Sequence, residues 1–202
     1  MQKKRSTISF GKTDETYYSS ISLLVEFIIM IVFCFAGIFC KKVINPFANV
    51  VTDSLHIPGG ISTAVSLMFM VMASAFTSRK WSATAMGIMQ AAFALAMGSV
   101  GSMGVFLPVS YVIPGIVIDL VMVLYKKEIL TLRLSAFVAN ILSSVSAAVF
   151  ADIIIFHLPV PVLALYLCVA ALSGAICGAV AAVISSSIMN NRKEKDGVNG
   201  ND

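Results

Sequence analysis

Charge is what this chain has least of: only 12% of its 202 residues are Asp, Glu, Lys or Arg. A typical soluble domain carries about 25%. With 58% hydrophobic residues as well, a soluble domain of this length would lack the polar surface to dissolve. Histidine is also scarce, with two residues in the whole chain. Cys34, Cys40, Cys168 and Cys177 all lie inside apolar runs, form no CxxC pair and have no metal-ligand spacing with a histidine. They read as small, reduced packing residues. There is no HExxH, no GxSxG and no P-loop, so neither an enzyme nor a bound metal or cofactor is expected. No A-x-A cleavage pattern follows the first apolar run, so that run is expected to be a retained helix. No internal repeat points to an inverted-repeat transporter.

What is present is hydrocarbon. The mean hydropathy is +0.94, which makes this an all-α integral membrane protein. Crossing a bilayer core of about 30 Å takes about 20 apolar residues at about 1.5 Å per residue. Six apolar segments fit: 20–40, 61–77, 82–98, 104–125, 131–156 and 160–189. The expected organisation is a short arm (1–19), a six-helix transmembrane domain (20–189) and a polar tail (190–202). The net charge of +4 does not imply nucleic acid, because the basic residues sit between apolar runs. Lys3, Lys4, Arg5, Lys12, Arg79, Lys80, Lys126, Lys127, Arg133, Arg192, Lys193 and Lys195 fall on one side. Lys41 and Lys42 fall on the other. By the positive-inside rule both termini are then cytoplasmic. Trp81, beside Arg79 and Lys80, reads as an interfacial anchor.

On the outer side, "KKVINPFANVVTDSLHIPGG" (41–60) is expected to be one long connection. Such a loop is either a plain connector or a lid over a site. As a lid it would use Asn49, Asp53, Pro58, Gly59 and Gly60. Polar side chains inside the bilayer are costly and by default face the bundle interior or a cavity. Gln90 and Asn140 fall at mid-depth, Ser110 and Tyr111 in the outer half of the fourth segment, Asp152 near the outer end of the fifth, and His56 in the long connection. Together they suggest a small-molecule pocket beneath the outer surface. Glu26 and Asp119 lie deeper toward the inner side.

The stretch "GSVGSMGVFLPVSYVIPGIVIDLV" (98–121) holds Pro108 and Pro114 with several glycines. It is expected to have locally opened backbone that faces the bundle centre, where lipid cannot reach it. Small residues recur four apart: Ser135, Ala139, Ser143, Ala147 and Ala151, and again Ala170, Gly174, Gly178 and Ala182. Such ridges serve packing within the bundle or docking onto a membrane partner. The second ridge is carried forward as a candidate partner-docking face.

The order of features over about 57–185 resembles a known family. "IPGGIS" is followed by "SRKWSATAMGIMQAAFALAMG", "YVIPGIVIDLVMVL", "NILSSVSAAVFADIIIF" and "LSGAICGAVAAVIS". This is similar to the substrate-binding S component of energy-coupling factor (ECF) vitamin transporters, nearest to the thiamine and hydroxymethylpyrimidine (YkoE) type. The resemblance implies a six-helix subunit of a bacterial cell membrane. It would capture a vitamin-like ligand, thiamine-like in this type, from outside. An ECF membrane coupling subunit and two ATPases would drive release inside. It also implies that Tyr111, Gln90, Asn140 and His56 supply stacking and hydrogen bonds, and that Asp152 or Asp53 meets a cationic ligand. Two other readings stay open. A stand-alone secondary transporter would show gradient-driven uptake by this chain alone. A non-transporting scaffold would bind no ligand and depend on a partner.

Overall fold

Apolar runs in lipid leave the backbone one economical way to satisfy its N–H and C=O groups within a single segment, the helix. The computed structural model describes residues 11–55, 57, 60–77, 79–98, 104 and 106–198, with side chains described from 22 to 191. Six α-helices follow in chain order: α1 (Gly11–Ser54), α2 (Ile61–Phe76), α3 (Ser82–Ala96), α4 (Leu107–Lys126), α5 (Leu132–Ala151) and α6 (Val160–Val198). A π-helical turn (Asp152–Phe156) closes α5, and no strand occurs among the described residues. Four helices (α1, α4, α5 with its π-turn, and α6) are long and apolar enough to cross a membrane. The other two are shorter: α2 has 16 residues and α3 has 15, or about 22–24 Å each.

The largest departure from expectation is the connection at 41–60. Helix α1 continues to Ser54 for 44 residues, about 66 Å. Lys41, Asn49 and Asp53 therefore sit on a helix, and only residues 55–60 remain as a link. Pro46 is exposed inside α1. A proline removes one donor and crowds one carbonyl, and here the helix carries on past it. Asn49 and Asp53 are exposed on this helix, which is a helical arm and not a flexible lid. His56, Pro58 and Gly59 lie outside the described residues. Gly60 is the N-cap of α2 with φ 117°, a conformation that favours glycine. A Cβ there would also lie 3.2 Å from the Tyr166 ring.

The fourth segment is likewise more regular than expected. Pro108 sits in the first turn of α4, where its missing donor costs nothing. Pro114 is buried inside an unbroken helix. The expected orientation holds: Tyr111, Pro114, Gly115, Ile118, Asp119 and Met122 are all buried.

Helix α2 packs against all five others and supplies Leu67, Met70 and Val71 to the core. Helix α1 buries one stripe, Met30, Cys34, Gly37, Ala48 and Thr52, at the three-to-four-residue spacing of an α-helix. Its other faces expose Phe27, Val32, Phe39 and Val43. Both small-residue ridges face inward. Ser135, Ala139, Ser143, Ala147 and Ala151 on α5 are buried, as are Ala170, Gly174, Gly178 and Ala182 on α6. A Cβ on Gly174 would lie 2.9 Å from Ser144 Oγ, and one on Gly178 2.9 Å from the Phe137 carbonyl oxygen. The α6 ridge expected to dock a partner is consumed by α5. Membrane helices gain from close backbone approach, and the nearest helix in the same chain takes the surface first.

Candidate functional site

The predicted polar residues divide among four places. At one end of the bundle, α1, α3 and α4 meet around Tyr111. Its ring is buried in a small cluster with Ala91, Ala94 and Leu107. Gly87 makes this fit possible: a Cβ there would lie 2.5 Å from the Tyr111 carbonyl oxygen. The Lys41 ammonium donates to Tyr111 Oη at 3.0 Å and sits 4.8 Å from the ring centroid, close enough for cation–π attraction. One turn earlier on the same face of α1, Gly37 lies against the Gln90 amide, with a Cβ position 3.1 Å from Gln90 Nε2. Gln90 is fully buried. Its Oε1 accepts from Ser66 Oγ at 3.0 Å, and its Nε2 has no hydrogen-bond partner. Ser110, one residue from Tyr111, spends its hydroxyl on the Leu107 carbonyl at 2.8 Å.

The second place is the turn between α5 and α6. Asp152 is buried and accepts from the Leu158 amide at 2.8 Å, which holds the π-turn and the left-handed His157 (φ 48°) in place. Tyr166 packs nearby, edge-on to Phe156 at 6.5 Å. Ile57, from the short link after α1, joins the apolar cluster of Tyr166, Ala148 and Ala170. Ile57 thus packs onto α5 and α6.

The third place is the α5–α6 seam. Asn140 is fully buried and donates from Nδ2 to the Gly174 carbonyl at 2.9 Å. Its Oδ1 has no partner, nor do the hydroxyls of Ser135, Ser144 and Ser185. Asn140 therefore binds its neighbouring helix and is not brought to Tyr111 or Gln90 by any hydrogen bond.

The fourth place is at the opposite end. Asp119 accepts from the Ala83 amide (3.0 Å), the Thr84 amide (2.8 Å) and Thr84 Oγ1 (2.7 Å). A carboxylate on α4 thereby caps α3, satisfying two of the free donors every helix N-terminus leaves and complementing its positive dipole end. Arg79 pairs with Glu26 at 3.5 Å, and the Lys126 ammonium donates to the Arg79 carbonyl. Asp119 is thus a structural cap and Glu26 part of a charge cluster.

Of the residues expected to form one pocket, Tyr111 and Gln90 share the α1–α3–α4 corner. Asp152 and Asn140 belong to other joints, and His56 lies outside the described residues. Sequence reasoning overlooked Lys41 and Ser66. Lys41 did carry a signal: it falls in register with Met30, Cys34 and Gly37 on the buried stripe, whereas Lys42 falls off it and is exposed. Among the described residues no group of three or more His, Cys, Asp and Glu side chains could hold a metal ion. No family model, curated protein or solved structure matches this chain significantly.

Proposed function

We propose that this chain is the membrane substrate-capture subunit of an ECF-type importer, binding a vitamin-like molecule and leaving the energy-driven step to partner subunits. The observation that carries this reading is the Lys41–Tyr111–Gln90 corner. It combines an aromatic ring, a charged donor and a fully buried amide with an unpartnered nitrogen. A buried polar group without a partner calls for an explanation, and a ligand that completes it is the one this reading supplies. In this reading all six helices cross the bilayer, the two short ones with tilt or local thinning. Both termini are cytoplasmic, since twelve of the fourteen basic residues lie on that side. The Lys41 corner then opens to the outside, beneath the helical arm at 43–54. Coupling would use a surface other than the buried α6 ridge, and the exposed apolar face of α1 is the largest one left.

The test is mass spectrometry of small molecules released by denaturing the purified chain. A vitamin-like compound recovered from the native protein and lost from Tyr111→Ala or Gln90→Ala supports capture. An empty protein that is unresponsive to a vitamin panel refutes it. In that case proton- or sodium-driven uptake by the chain alone in liposomes would identify a secondary transporter.

A further inference from the structure

The corner proposed for capture presents hydrogen-bond donors and almost no acceptors. Gln90 has spent its oxygen on Ser66, so both protons of Nε2 remain. Tyr111 has spent one oxygen lone pair on Lys41, so its own O–H proton remains. Lys41 has three protons, and only one is used on Tyr111. Among the described residues the single ion pair is Arg79–Glu26, at the other end of the bundle. Among the described residues no carboxylate lies within 4.0 Å of Lys41. Of the two acids expected to meet a cationic ligand, Asp152 is engaged by the Leu158 amide on another helix pair, and Asp53 is exposed twelve residues further along α1.

A half-buried ammonium with no counter-ion among the described residues, on a helix whose Gly37 one turn earlier lies against a buried amide nitrogen with no acceptor, has a definite complement. That complement is a group with negative charge and several lone pairs. We infer that the Lys41 corner is a carboxylate-binding site, and that the captured molecule is an anionic, carboxylate-bearing small compound with a flat apolar portion. This rests on the capture reading and narrows it. A thiamine-like cation would place its charge against Lys41 with no acid to offset it.

The geometry assigns each donor. Lys41 supplies the charge. Tyr111 holds the ammonium by hydrogen bond and ring face, and offers its ring to the flat portion. Gln90 donates to the second carboxylate oxygen. Ser66 fixes the Gln90 amide so that nitrogen, not oxygen, faces the site. Lys42, exposed on the next residue, serves as an internal control for the general attraction between lysines and anions. Charge-assisted hydrogen bonds in a dry site are worth about 1.5–3 kcal/mol, which converts to about 10- to 100-fold in affinity.

The experiment uses the full-length chain in lipid nanodiscs. Titration calorimetry and thermal shift are run with nicotinate and biotin, with their amides nicotinamide and biotinamide, and with thiamine. Any compound recovered from the purified protein is identified by mass spectrometry. The expected result is a carboxylate ligand, recovered or from the panel, whose amide counterpart binds far more weakly. Lys41→Met should lower its affinity about 10- to 100-fold, Gln90→Leu by less, and Lys42→Met not at all. Lys41→Arg keeps the charge and should retain most of the binding, which separates lost recognition from lost folding.

Equal binding of amide and acid overturns the carboxylate assignment and leaves capture standing. So does a neutral or cationic ligand indifferent to Lys41→Met. No ligand recovered, and no response to any probe, overturns capture and the carboxylate assignment together.

Discussion

Two helix pairs in this protein solve the same problem in opposite ways. In both α3–α4 and α5–α6, glycines bring two backbones close: Gly87 and Gly115 in the first, Gly174 and Gly178 in the second. The α3–α4 joint is then closed by one ionisable group both of whose oxygens accept hydrogen bonds, Asp119 with three donors. Along its buried length the α5–α6 joint is closed by small neutral groups, and at one end the Arg133 guanidinium donates to Ser186 Oγ at 3.0 Å. One carboxamide makes a single bond across the seam, while several buried hydroxyls keep unused capacity. Close approach sets the distance between helices. The chemistry at the contact sets how much of a change each joint can absorb. A charge-based joint fails when its one group is removed, because orphaned donors in a low-dielectric interior cost about 1–3 kcal/mol each. A joint of many weak contacts degrades gradually.

This contrast is open to direct attack. The largest effect is expected from Asp119→Ala, which orphans the Ala83 and Thr84 amides. We expect a loss of about 3–4 kcal/mol by SDS-titration unfolding, with Asp119→Asn falling between it and the native chain. A loss under about 1 kcal/mol would show that water or another group caps α3. Next comes the pair Gly87→Ala and Gly174→Ala. The added methyl on Gly87 meets a backbone carbonyl at 2.5 Å, which cannot yield without moving a helix. That on Gly174 meets first the Ser144 side chain at 2.9 Å. The first is expected to cost about 2–3 kcal/mol and the second about 1 kcal/mol. A reversed order in melting temperature would break the comparison. The smallest effect belongs to Asn140→Leu. It removes one interhelical hydrogen bond, a class worth about 0.6 kcal/mol in membranes, and also removes a buried acceptor that had no partner. The net change expected is within about 1 kcal/mol of zero, read by the same titration.

Much of this architecture was legible in the chain. Hydropathy and turn residues act locally, so the six apolar segments coincide with the six helices to within a few residues, except at α1 and at the end of α6, which runs on to Val198. Thr131 illustrates this: it was placed at the start of the fifth segment, and its hydroxyl caps the Leu134 amide there. The extension of α1 was not legible. Asn45 and Pro46 are ordinary break signals, and only packing along the stripe through Ala48 and Thr52 overrides them. The small-residue ridges were legible as packing surfaces, but nothing in their spacing said that each would meet the other. The placement of the polar side chains was half legible. Tyr111 and Gln90 share a corner, whereas Asn140 and Asp152 were grouped with them by depth alone and are taken up by other joints.

The amino-acid sequence by itself determined that this is a helical protein with membrane-length apolar segments, where its helices lie, and which side chains are costly to bury. Those properties come from composition and short-range order. The tertiary structure alone decided which polar groups are satisfied and which are left to receive something else. Ser66 finds Gln90 across 24 residues, Asn140 finds the Gly174 carbonyl across 34, and Lys41 finds Tyr111 across 70. Each pairing depends on the rotation and depth of two helices relative to one another. Hydrogen bonds are short and directional, so a fraction of a helical turn decides between a closed joint and an open donor.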